Sequence, residues 1–123
     1  MIILCCGDRN WTDLETIRRI LKTFSTTVKE SITVVHGDCR GADKLSGQAA
    51  HELGMIVIPE PADWNKYGLA AGPIRNQLML DKYHPNVVIA FHNNFDQSKG
   101  TKDMVNRATK AHITVMRIGS VKQ

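Results

Sequence analysis

A chain of 123 residues has room for one domain in which a sheet is covered on both faces. With 42% hydrophobic and 23% charged residues it is not a disordered or low-complexity chain, and no apolar run approaches the ~18 residues needed to span a bilayer. The formal net charge of +4 suits small anionic ligands, but the basic residues are scattered, which makes nucleic acid an unfavoured partner.

Three cysteines without a paired framework point to a reducing compartment. The N-terminus lacks the basic and then apolar pattern of a leader. A cytoplasmic location is expected, with no membrane partner.

The first strand spans Ile2–Cys6, and the adjacent Cys5 and Cys6 point to opposite faces. Gly7-Asp8-Arg9-Asn10-Trp11 follows. Gly7 permits a sharp turn, and Arg9 offers a planar fork to a phosphate or carboxylate. Trp11 either stacks on a base or packs beneath the loop. The first helix runs from about Asp13 to Val28. Leu14, Ile17, Ile20, Leu21, Phe24 and Val28 form its apolar stripe, and Thr12 with Glu15 reads as a capping box.

The second strand spans Ile32–His36. The segment His36-Gly37-Asp38-Cys39-Arg40-Gly41-Ala42-Asp43 leads into a helix from Ala42 to Leu53, stopped by Gly54. Free N–H groups and a partial positive charge at such a helix start suit a phosphate. The spacing is neither that of a P-loop nor of a dinucleotide fingerprint. Asp38 or Asp43 either serves the ligand or caps the helix. Cys39 reads as a small loop residue more readily than as a nucleophile.

The third strand spans Met55–Pro59. The connection from Glu60 to Gly72 carries Trp64, Asn65, Lys66 and Tyr67, suited either to base or ribose recognition or to anchoring the loop by Trp64. The third helix starts at Pro73 and ends before Pro85, with Arg75 as a phosphate clamp and Asn76 beside it. The fourth strand, Val87–His92, leads through Asn93–Gln97 to Ser98-Lys99-Gly100-Thr101, a second anion site or a plain cap. The last helix covers Lys102 to Ala111, with Met104, Val105, Ala108 and Ala111 inward, and the last strand spans Ile113–Ile118. His36 and His92 stand at strand ends, where they either approach the ligand or are structural. No His/Cys spacing resembles a metal site.

Alternating strands and helices with short connections predict a three-layer, Rossmann-like α/β fold. The expected sheet is parallel and five-stranded, in the order 3-2-1-4-5, with right-handed crossovers. Ligands then bind outside the carboxyl ends of the strands, at the switch point between strands one and four.

In this order the segments resemble the SLOG superfamily, which includes the LOG nucleotide phosphoribohydrolases and the DprA/Smf proteins. The YspA-type group is the closest likeness. The matching pieces are Gly7-Asp8-Arg9, His36-Gly37 with Arg40-Gly41-Ala42-Asp43, Gly72-Pro73-Ile74-Arg75-Asn76 with Met79, and Gly100-Thr101-Lys102-Asp103-Met104-Val105. The resemblance implies a Rossmann-like fold, a nucleotide-derived ligand and, as among relatives, a homodimer. Superfamily members also sense NAD-derived signals in conflicts between bacteria and phages. The LOG pattern Pro-Gly-Gly-x-Gly-Thr-x-x-Glu is incomplete here. Asn93–Lys99 replaces the Pro-Gly-Gly part, and Met104 holds the place of the glutamate implicated in splitting the N-glycosidic bond. Methionine cannot accept a proton, and Asp103 lies about 100° away around the helix.

Three functions follow. The first is a module that senses or sequesters a nucleotide such as ADP-ribose, with the nucleotide as ligand and no cofactor. The second is a hydrolase of an N-glycosidic or phosphate bond, drawing its acid or base from Asp8, Asp38, Asp43 or Asp103. The third is a protein that binds single-stranded DNA.

Overall fold

The computed structural model describes residues 1–120. The element order is β1 (Ile2–Gly7), α1 (Leu14–Thr27), β2 (Thr33–His36), α2 (Ala42–Glu52), β3 (Ile56–Pro59), α3 (Trp64–Tyr67), α4 (Ala71–Tyr83), β4 (Val87–Phe91), α5 (Gly100–Lys110) and β5 (Thr114–Ile118). Short 3-10 turns cover Gly68–Ala70 and Phe95–Gln97.

The strands form one parallel sheet in the order β3-β2-β1-β4-β5, as expected from the alternation of elements. β1 is central. Its residues alternate between two cores, as the two-residue repeat of a strand requires. Ile3 and Cys5 pack with Trp11, Ile17, Leu21 and Ala49 under α1 and α2. Leu4 and Cys6 pack with Met79, Leu80, Met104 and Val105 under α4 and α5. All five residues of β4 are buried, whereas β3 and β5, at the edges, are half open.

The helix starts depart from the sequence expectation in three places, one of them α5, which opens at Gly100 rather than Lys102. α1 is capped by Asp13, not by a box of Thr12 and Glu15. One Asp13 oxygen accepts from the Thr16 N–H at 3.1 Å, the cap-to-third-residue geometry one position further along. Asp13 is buried and also accepts from the Ser120 hydroxyl at 2.6 Å, which ties α1 to the chain after β5. Glu15 instead pairs with Arg18.

α4 begins at Ala71, two residues before Pro73. Proline is tolerated there because first-turn N–H groups have no acceptor within the helix. α4 ends at His84, whose left-handed backbone (φ 46°) precedes Pro85. The connection before it is not an open loop but the short helix α3 and a 3-10 turn. Among the described residues no helix is long and apolar enough to cross a membrane.

Candidate functional site

β1 and β4 are adjacent, but their following segments diverge, one toward α1 and the other toward α5. The gap left at their carboxyl ends opens into a cleft of about 600 Å³. It is walled by Gly7, Asp8, Arg9 and Asn10 after β1, by Gly37, Arg40 and Asp43 after β2, by Arg75 and Asn76 of α4, and by His92, Ser98, Lys99, Gly100, Thr101 and Asp103 after β4. Trp64 and Leu69 stand at its mouth, and Cys6 and Met79 contribute to its lining. The strand-end segments singled out in the sequence therefore converge on one hollow.

Two glycines let the walls approach. A Cβ on Gly7 would lie 2.7 Å from the Ala42 Cβ and collide with the Phe91 carbonyl. A Cβ on Gly37 would lie 2.5 Å from Arg75 Nη1 and 2.9 Å from an Asp43 carboxylate oxygen. Bare backbone is what permits Arg75 and Asp43 to meet there.

The two helix starts differ. At α2 the protein occupies its own anion site. The Ala42 N–H donates to the Asp8 carbonyl at 3.0 Å, and the Cys39 N–H donates to the Asp43 carboxylate at 3.2 Å. Asp43 is buried, and loss of hydration pushes its carboxyl up to about 6, against the opposing pull of hydrogen bonds from Cys39 and Gly37 and the charge of Arg75. At α5 the N-cap residue, Lys99, makes no side-chain cap. Lys102 N–H donates to Ser98 Oγ at 3.2 Å, but the Gly100 and Thr101 N–H groups carry no hydrogen bond among the described residues. Lys99 beside them is exposed.

Arg75 lines the cleft but is largely engaged by the protein. Nη1 donates to the Gly37 carbonyl at 2.6 Å, and Nε donates to Asn76 Oδ1 at 3.1 Å. The expected clamp is thus first a brace for the β2 turn. Asn76 Nδ2 donates to Asp103 at 3.0 Å, and Arg107 Nε donates to the same Asp103 oxygen at 2.9 Å.

Trp11, His36, Gly41 and Asp38, expected as ligand contacts, are not in the cleft wall. Trp11 is 4% exposed, tilted against Phe91 at 5.7 Å between ring centroids, with Nε1 donating to the Asp13 carbonyl at 2.9 Å. His36 is buried. Its Nδ1 accepts from the Asp38 N–H at 3.0 Å, and burial lowers its proton affinity, which keeps the ring neutral. Gly41 is a hinge (φ 76°) pressed on the carbonyls of Asp8 and Arg9. Asp38 lies in an adjoining hollow and pairs with Lys44 at 3.4 Å. Asp8 accepts from the Asn10 N–H at 2.9 Å, and His92 accepts from the Asn94 N–H at 2.9 Å, so each stabilises its own turn while facing the cleft. Among the described residues no cluster of three metal-ligating side chains exists.

A profile of the YspA, cpYpsA-related SLOG family matches residues 1–67, just over half of the chain. The Gene 61 protein of Mycobacterium phage D29 is 34% identical over 122 residues, covering 95% of each chain. The protein belongs to the YspA, cpYpsA-related SLOG family. The X-ray structure of DNA processing protein A (DprA) from Streptococcus pneumoniae has the same fold, with a TM-score of 0.74 at 15% identity. That match covers 98% of this SLOG chain and 51% of the DprA chain, so this chain spans about half of that structure's length.

In this SLOG protein the position of the LOG glutamate does not face the cleft. Met104 is 1% exposed and packed into the core under α5. Asp103, one residue earlier, lines the cleft together with Asp8 and Asp43. Of the wall residues, Leu69, Cys6 and Met79 were not singled out as site residues from sequence. Leu69 had one available signal, a large aliphatic side chain in a connection that otherwise carries small, aromatic and polar residues. Cys6 had none, because it read as a strand residue, whereas Met79 had one in the family motif, where it accompanies Gly72-Pro73-Ile74-Arg75-Asn76. Asn65, Lys66 and Tyr67 do not line the cleft, and Lys66 Nζ lies 5.1 Å from the Tyr67 ring centroid instead.

Proposed function

We propose that this SLOG protein binds a nucleotide, or a small molecule derived from NAD or ADP-ribose, in the cleft at the carboxyl edge of the sheet, as a sensing or sequestering module. The observation that carries this reading is the open turn at α5. Two backbone N–H groups without an acceptor among the described residues, an adjacent lysine and the positive end of an eleven-residue helix face a cleft of ligand size. The phosphate belongs there rather than at α2, where Asp43 already supplies a carboxylate. Titration calorimetry with AMP, ADP, ADP-ribose and NAD tests the reading. Saturable binding that added inorganic phosphate weakens is the expected result. No heat from any of the four overturns it.

One observation favours hydrolysis as a second reading. Asp43 and Asp103 share the cleft in unlike surroundings. Asp43 is a buried carboxyl that holds its proton up to about pH 6, and Asp103 is hydrogen-bonded by Asn76 and paired with Arg107. Such a pair suits acid and base roles at an N-glycosidic bond. Chromatography of AMP and NAD incubated with the protein decides between the readings. Release of free base supports turnover, and intact ligand in a stoichiometric complex supports binding alone. The shared fold with a DNA processing protein suggests single-stranded DNA as a third ligand, to be included in the same titrations.

A further inference from the structure

The cleft does not end at its mouth. A second hollow of about 630 Å³ adjoins it, lined by Arg9, Asp38, Cys39, Arg40, Trp64 and Leu69. All but Asp38 also line the cleft, so the two spaces are continuous. The cleft alone already falls within the roughly 300–1,000 Å³ of small-ligand sites. A mononucleotide therefore leaves the outer hollow unfilled.

The outer walls are chemically unlike each other. Trp64, 47% exposed, and Leu69, 96% exposed, are apolar surfaces left open by the rest of the described chain. The Trp64 indole rests against Gly72, where an added Cβ would lie 3.6 Å from Cη2. About half of the residue's surface stays open to solvent. Arg9 and Arg40, both exposed, line the same hollow. Arg40 has only a long hydrogen bond to Asn10, at 3.3 Å, and Arg9 has no side-chain hydrogen bond among the described residues. An exposed aromatic ring and two guanidinium groups lining one hollow match a base joined to a phosphate, since bases stack on indole and guanidinium planes bind phosphate oxygens in pairs.

We propose that the outer hollow is a second nucleoside subsite, so that the protein takes a pyrophosphate-linked dinucleotide rather than a mononucleotide. This rests on the reading of the cleft given above. The first nucleoside and its phosphate occupy the cleft and the α5 turn. The second phosphate lies toward Arg9 and Arg40, and its base lies on Trp64 beside Leu69.

The test uses the full chain with AMP and NAD as probes. NAD is expected to bind at least tenfold more tightly than AMP. Trp64→Ala lowers that ratio toward one, and Trp64→Phe restores most of it. The chain has two tryptophans, and Trp11 is in the core, so quenching of tryptophan emission by NAD reports on Trp64 and disappears in Trp64→Phe. AMP binding with no gain for NAD overturns the subsite and leaves the cleft reading intact. A gain for NAD that survives Trp64→Ala also overturns it. Absence of binding by both probes overturns the two readings together. A short oligothymidylate that binds more tightly than NAD overturns the dinucleotide in favour of a nucleic-acid strand.

Discussion

Asn76 Nδ2 on α4 donates to the carboxylate of Asp103 on α5 across 3.0 Å, and the same oxygen of Asp103 accepts from Arg107 at 2.9 Å. Through Asn76 Oδ1 the chain of contacts continues to Arg75, and from Arg75 to the Gly37 carbonyl. One amide thus links the second turn of the cleft to the fourth. Buried polar groups joined in this way stabilise when complete and cost when broken.

Asn76→Ala removes both halves of that link, leaves Arg75 Nε without its acceptor and leaves Asp103 with Arg107 alone. The expected cost is about 1–3 kcal/mol of unfolding free energy, the penalty for unsatisfied buried polar groups. Urea denaturation measures it. An unchanged midpoint would show that the network carries no stability.

Asp43 makes stability depend on pH in a defined direction. Its folded-state value of about 6 lies above its ordinary 3.8, so the folded protein holds the proton longer than the unfolded chain. The contribution is fully present below about pH 3.8 and is lost as pH rises through 6. The change amounts to roughly 3 kcal/mol. Denaturation curves from pH 4 to 7 for the wild type and Asp43→Asn should diverge by that amount across the window. A constant difference assigns the titration to another group.

Gly41 and Gly54 share a left-handed backbone, with φ of 76° and 75°, but not the same space. Gly54 has nothing near its absent side chain, whereas Gly41 faces the Asp8 and Arg9 carbonyls. Gly54→Ala is expected to cost about 1–2 kcal/mol from backbone strain alone. Gly41→Ala adds a collision with backbone and should cost well beyond that. Equal midpoints for the two variants, measured by thermal or urea denaturation, would contradict the close approach of the β1 and β2 turns.

Lys99→Glu places a negative charge beside the unpartnered Gly100 and Thr101 N–H groups. Nucleotide affinity should fall about tenfold or more, with the loss largest at low salt, where screening is weakest. Calorimetry at low and high salt, about 50 and 300 mM, checks both points. Full affinity in this variant would move the phosphate away from α5.

The three cysteines should react unequally. Burial pushes the Cys5 thiol up to about 12 and the Cys6 thiol up as well, which removes the nucleophilic thiolate. Cys39 is half-buried and lines the cleft. A thiol reagent should therefore label one cysteine quickly in the folded protein and three after denaturation. Bound nucleotide should slow the first reaction.

The strand order and the family were both legible in the chain. β-branched runs separated by short helical stripes leave few arrangements other than a parallel sheet with right-handed crossovers. The motif pieces from Gly7-Asp8-Arg9 to Gly100-Thr101 carried the family resemblance. Helix boundaries were less legible. The cap of α1 fell on Asp13 because its carboxylate reaches both Thr16 and Ser120, and Ser120 lies 107 residues away.

What the sequence determined alone was the fold and the segments that meet at the carboxyl edge, because both follow from local periodicity and from where glycines interrupt it. Tertiary structure decided which members of those segments face the ligand space. Trp11 turned inward onto Phe91, whereas Arg75 and Asp43 line the cleft but are engaged by the Gly37 carbonyl and the Cys39 N–H. Each choice depends on a partner distant in sequence or on a turn geometry that residue type does not reveal. The unpartnered N–H groups at α5 and the open faces of Trp64 and Leu69 are likewise what remains once the other segments have taken their places.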